Sequence, residues 1–137
     1  MSILTQTIYD RLADDTTLTD LLATYRDGPA IFTTDPAPGD ASRPYIVTAG
    51  EVTQSPFDTK NSRGRRAWRD VRCYANADGS SLTIEMIAER VRALLHRYRL
   101  DIDGFGVLVA ECNGPVTADE EDAYGRILTV QYLFTEV

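Results

Sequence analysis

Between residues 67 and 75 the chain alternates. Ala67, Arg69, Val71, Cys73 and Ala75 fall on one side of a strand, and Trp68, Asp70, Arg72 and Tyr74 fall on the other. The rhythm ends at Asn76, and the sequence turns through Ala77, Asp78 and Gly79 before a second rhythm begins. Ile84, Ile87, Ala88, Val91, Leu94, Leu95 and Tyr98 recur at spacings of three and four, with Glu85, Glu89, Arg90, Arg92 and Arg97 between them. That spacing predicts a long amphipathic helix with one face in the core and one in water.

Upstream, Leu4, Ile8, Tyr9 and Leu12 mark a first amphipathic helix that stops near Asp14 and Asp15. Thr16 or Thr17 can cap a shorter second helix holding Leu18, Leu21, Leu22 and Tyr25, which Gly28 and Pro29 end. Residues 30–43, with Pro36, Pro38 and Gly39, read as loop, and a strand resumes over residues 44–49. Residues 51–65 are so polar that they predict a long exposed loop between two antiparallel strands. Phe57, Lys60, Arg63, Arg65 and Arg66 suit that loop to docking on another surface; a hairpin tip without a role is the plainer reading.

Downstream, residues 106–112 form a nearly continuous apolar run, as a central strand should, which Asn113, Gly114 and Pro115 break. A last strand spans about residues 125–136. It carries Leu128, Val130, Tyr132 and Phe134 on one face, and Thr129, Gln131 and Thr135 on the other, whose polarity Ile127 and Leu133 interrupt. The order helix, helix, strand, strand, helix, strand, strand predicts an α+β fold. The expected architecture is one small domain over residues 1–137, an antiparallel or mixed four-stranded sheet with helices packed mainly on one face.

Composition narrows the function. The 137 residues suit one domain with a core of its own. The 21 acidic and 14 basic residues leave a net charge of −7, which argues against a duplex-DNA binder, because such binding rests on neutralising phosphates. The two cysteines, Cys73 and Cys112, lack metal-ligand spacing and read as small buried hydrophobes. No basic segment followed by a long apolar run opens the chain, and no apolar stretch is long enough to span a bilayer. It reads as soluble, cytosolic at synthesis and without a membrane partner.

Candidate chemistry is sparse. His96 is the only histidine, and its place beside the last turn of the long helix suits a surface or capping role. Asp119, Glu120, Glu121 and Asp122 lack the alternating ligands and glycine of a calcium loop and read as a solvated charge run. No glycine pattern precedes a helix in the manner of a phosphate loop, and Ser80 and Ser81 read as helix caps. No catalytic residue, metal site or cofactor is expected, so the chain reads as a non-enzyme. The basic residues from Lys60 to Arg72 around Trp68 are the one patch with nucleic-acid character. Arg69 and Arg72 lie on opposite faces of their strand, however, and Asp70 interrupts the Trp68 face.

The opening helix followed by residues 14–22, the strand beginning Arg43, Pro44 and Tyr45, the strand 71–75 running into a helix, and the closing strand 127–134 together resemble the tail terminator or tail completion proteins of long-tailed bacteriophages and phage-like particles. The resemblance implies a structural virion protein of the tail's head-proximal end, assembled in the host cytoplasm. Six copies would form a ring that caps the tail tube, stops its growth and joins it to the head connector. The implied partners are other copies of the chain, the tail tube protein, a head-side connector or stopper protein, and genome DNA passing through the channel unbound. Within such a ring, Trp68, Tyr74 and Leu133 are candidate assembly anchors on otherwise polar faces, unless helices cover both faces and make them core. Asp119, Glu120, Glu121 and Asp122 are candidates for an acidic channel lining or an adjoining interface. Another head–tail joining or tail tube subunit, or a small nucleic-acid-binding module built on Lys60 to Arg72, remain the competing readings.

Overall fold

In the computed structural model, which describes residues 2–48, 51–56, 58 and 63–136, both predicted rhythms become elements. Helix α1 (Ser2–Ala13) buries Leu4, Ile8 and Leu12, one residue per turn on a single stripe. Helix α2 (Thr16–Thr19) is shorter than its apolar spacing predicts, and its cap is Asp15 rather than a threonine. The Asp15 carboxylate accepts from the Leu18 N–H at 2.9 Å, and the helix stops after one turn. Leu21 and Leu22 follow it as turn, and Tyr25 belongs to a small hairpin instead, β1 (Thr24–Tyr25) and β2 (Gly28–Pro29). Arg26 and Asp27 take positive φ angles of 46° and 68° in its turn, the backbone that a tight two-residue hairpin demands.

The remaining strands make one sheet. Strands β3 (Ile31–Phe32), β4 (Tyr45–Val47), β5 (Glu51–Pro56), β6 (Gly64–Asn76), β7 (Phe105–Thr117) and β8 (Ala123–Glu136) pair in the order β3-β4-β6-β8-β7, with β5 added to β6. The sheet is mixed, as β3 runs parallel to β4 while the other pairs are antiparallel. It has six strands where four were expected. The largest correction falls on residues 51–65. Glu51–Pro56 pairs with β6 from Arg69 back to Arg65, so β4 and β5 lie end to end along one edge of β6, and only residues 57–63 connect the strands. Polar side chains do not prevent this, because the ladder is made by the backbone.

Strand β7 also departs from expectation. It does not break at Asn113, Gly114 and Pro115 but passes them as a bulge and continues to Thr117. A Cβ on Gly114, which sits at φ +104°, would come within 2.8 Å of the Ile127 carbonyl oxygen. Nor is β7 central: it is an edge strand of the sheet. The chain after the long helix covers part of that edge. The Arg97 N–H donates to the Ala110 carbonyl at 2.8 Å, the Cys112 N–H donates to His96 Nδ1 at 3.1 Å, and the Arg92 guanidinium donates to the Cys112 carbonyl. His96 thus has a structural partner.

Helix α3 (Leu82–Leu95) buries Ile84, Ile87, Ala88, Val91, Leu94 and Leu95 against β6, β7 and β8. Tyr98 lies beyond the helix and is exposed, because the chain leaves the helix at His96 and Arg97 reverses it at φ 59°. The facing sheet residues are those that the alternation singled out: Ala67, Val71, Cys73 and Ala75 of β6, with Leu128, Val130, Tyr132 and Phe134 of β8. Each fully buried Leu, Ile or Phe contributes roughly 1.5–3 kcal/mol relative to exposure. Both cysteines are free and buried, and burial pushes the thiols of Cys73 and Cys112 up to about 12 and about 11, which keeps them protonated and inert.

Two arginines tie the helices together. Arg90 of α3 grips both oxygens of Asp15 at 2.8 and 2.6 Å, so the residue that caps α2 also anchors it to α3. Arg11 of α1 donates to the Leu94 carbonyl at 3.1 Å and lays its guanidinium 3.6 Å over the Tyr98 ring. The Arg90 hydrogen bond holds the Asp15 carboxyl below its ordinary value of 3.8. A carboxyl lowered by folding adds stability that is full above the ordinary value and lost as pH falls through the folded one. Arg90→Ala should therefore lower the urea midpoint near neutrality, and its deficit should shrink as pH falls below the ordinary carboxyl value of 3.8. An equal deficit in both ranges would refute the linkage.

A candidate assembly surface

The sheet has two unlike faces. Both long helices pack on the face that carries Val71 and Tyr132, and Thr5 of α1 accepts a hydrogen bond there from Arg69 at 2.7 Å. Arg69 is consequently buried. On the opposite face Trp68, Asp70, Arg72 and Tyr74 of β6 and Ile127, Thr129, Gln131 and Leu133 of β8 are half-buried, and among the described residues no helix covers them.

Register decides which of the candidate anchors meet. Trp68 stands opposite Gln131 and Arg66 opposite Leu133, so Trp68 and Leu133 are diagonal neighbours on this face. Val109 of the edge strand stands opposite Leu133 and extends the apolar strip, and the bulged Leu108 beside it is 48% exposed. Sequence reasoning passed over both, because the run 107–110 looked like a fully buried strand. Tyr74 is not part of this strip. It lies six residues along β6, about 20 Å away. Its ring packs 5.5 Å from Tyr45, the last step of an aromatic row Tyr25, Phe32, Tyr45, Tyr74. Tyr74 thus packs against its own chain, and the apolar strip on this face is made by Trp68, Leu133 and Val109.

The basic residues do not form one stripe. Arg63 is exposed, and its carbonyl accepts from the Glu136 N–H at 2.7 Å. The Arg65 guanidinium lies 5.7 Å from the Phe105 ring centre, and that of Arg66 5.8 Å from the Trp68 ring centre. Arg69 points into the core, and Arg72 lies 3.7 Å from both Asp35 and Asp70. Phe57 and Lys60 lie outside the described residues.

The acidic residues form the turn between β7 and β8, and the turn is built rather than merely solvated. Asp119 accepts from the Gly125 N–H at 3.1 Å and from Arg126 at 3.0 Å, while Asp122 pairs with Arg43 at 3.2 Å. Arg43 also donates to the Asp122 carbonyl at 2.7 Å. Gly125 is required where it stands, because a Cβ there would collide with the Ala118 carbonyl oxygen. Glu120 and Glu121 are exposed and have no ion pair among the described residues. No group of three or more His, Cys, Asp or Glu among the described residues is arranged to hold a metal ion.

The sequence profile of the family described as "Tail completion protein gp17" matches residues 6–134. Among solved structures, the fold is similar to a chain from the virion of a native gene transfer agent particle. The TM-score is 0.79 at 19% identity, over 96% of this chain and 94% of that one. A second solved chain matches with a TM-score of 0.56 at 12% identity, over 96% of both chains. No curated protein matches the sequence.

An open apolar strip beside a single tryptophan gives a direct readout. In the isolated subunit Trp68 should be partly accessible to acrylamide, and its quenching should fall on assembly. Unchanged quenching in the assembled state would remove Trp68 from the contact.

Proposed function

Since the chain belongs to the tail completion protein gp17 family, a family of phage tail structural proteins, we propose that it forms a six-membered ring at the head-proximal end of a tail tube. The ring stops tube growth and presents a surface to a head-side connector or stopper protein. The observation that carries this reading beyond family membership is the open face of the sheet. A domain whose helices cover one face, and whose other face carries Trp68, Leu133 and Val109 half-buried, has an apolar strip for other protein to cover. A ring needs a heterologous interface, in which one patch meets a different patch of the neighbour, and an asymmetric sheet provides unlike patches.

The charge fits the same reading. A channel that passes genome DNA must not hold it, and a subunit of net charge −7 repels phosphates. Asp119, Glu120, Glu121 and Asp122 belong at the channel or at an interface beside it. The competing nucleic-acid reading loses support from the burial of Arg69 and the pairing of Arg72 with Asp35 and Asp70, which break the basic stripe it requires.

Disrupting the gene in the particle-producing host, with complementation as control, tests the proposal through electron microscopy of tail length and head attachment. The expected outcome is overlong tubes without heads. Filled heads lacking tails, or normal particles, would contradict it.

A further inference from the structure

We propose that the two ends of the β6–β8 ladder are the two halves of one contact. The acidic β7–β8 turn of one subunit seats against the Arg63 and Arg65 end, and the adjoining Trp68 and Leu133 face, of a second copy. The proposal rests on the ring reading and names the surfaces that join.

The geometry comes from the pairing. Strands β6 and β8 pair continuously from Gly64 with Thr135 to Asn76 with Ala123. These ends lie about 40 Å apart along an extended ladder. The acidic turn closes the Ala123 end, and Arg63 and Arg65 flank the Gly64 end. One subunit cannot bring its own two ends together. Two copies related by a twofold axis through either end would set like charge on like. A head-to-tail arrangement sets opposite charges together and leaves an unsatisfied end on each side, which closure into a ring removes.

The charges at the two ends are differently committed. Asp119 and Asp122 are held by Arg126 and Arg43, which fixes the shape of the turn, while Glu120 and Glu121 project from it with no ion pair among the described residues. At the far end Arg63 is exposed and Arg65 rests beside Phe105. Asp58, Asp103 and Glu136 are acidic groups at the same end, and the Asp58 carboxylate is engaged by the Gly64 N–H at 3.2 Å. Arg65 falls in step with Ala67 and Arg69 and so stands on the helix side of the sheet, while the strip of Trp68, Leu133 and Val109 starts on the other side of the same end. A turn seated across this end therefore meets the arginine on one face and apolar surface on the other. A second copy fits better than nucleic acid, because the exposed glutamates of the turn repel phosphate.

A charge-swap pair tests this. One variant carries Glu120→Lys and Glu121→Lys, and the other carries Arg63→Glu and Arg65→Glu. Self-association is read by native mass spectrometry and sedimentation, with wild-type-like thermal unfolding as the check on folding. The same variants, singly and together, are expressed in the gene-disrupted host and scored for tailed particles. Each variant alone should self-associate at least on the order of tenfold more weakly than wild type and fail to complement. An equal mixture should recover assembly with the two variants alternating one to one, and should restore particles. Assembly or complementation by either variant alone at wild-type level would overturn the contact, as would a mixture of folded variants that recovers neither. Those results leave the ring reading standing, which falls if the gene disruption itself gives filled heads lacking tails or normal particles.

Discussion

The ladder between β6 and β8 is the constraint on which the rest depends. Thirteen residues of β6 pair one for one with β8, and the period of two sends Val71 and Cys73 inward and Trp68 and Tyr74 outward. A slip of one residue would exchange the faces, placing Asp70 and Arg72 under α3 and Val71 in solvent. Several contacts hold the register. Asp70 accepts from the Thr129 hydroxyl directly across the ladder at 2.9 Å, Tyr74 is clasped by Tyr45, and Gly125 lets the Ala118 carbonyl close over the end of the strands. The core on one face and the half-buried apolar strip on the other are therefore consequences of one register.

The ladder also separates charge. A chain of net charge −7 could have spread its acids evenly. Instead the β7–β8 turn collects four of them at one end while Arg63 and Arg65 stand at the other. The arginines that approach the acidic turn, Arg43 and Arg126, are bound within it and shape it. Exposed pairs of this kind add little stability, typically about 0–1 kcal/mol. Their consequence is orientation: they keep Glu120 and Glu121 projecting at the tip.

What the sequence disclosed follows from which forces act on side chains. Helices α1 and α3 and strands β6 and β8 were legible because burial on one face imposes a period that the residues display. Strand β5 was not, since Gln54 and Ser55 join the ladder through their backbone and no hydrophobic pattern records it. The run 107–110 misled in the opposite direction. Its apolar residues are divided between the core and an open strip on an edge strand, a distinction that depends on the register with β8. The site was half legible: Trp68 and Leu133 stood out as large residues on a polar face, and the structure makes them neighbours. Tyr74 met the same criterion but is occupied by Tyr45. The arginines that shape the acidic turn could not be read, because Arg43 reaches Asp122 across 79 positions of sequence.

The most direct measurement is a cryo-electron microscopy reconstruction of the particle at the junction of head and tail, resolved well enough to trace this chain. The account predicts a closed ring at the head-proximal end of the tube, each subunit's β7–β8 turn against the Arg63 and Arg65 end of its neighbour, and Trp68 covered. The chain found elsewhere in the particle, or in a ring that leaves the Trp68 and Leu133 face in solvent, would contradict it.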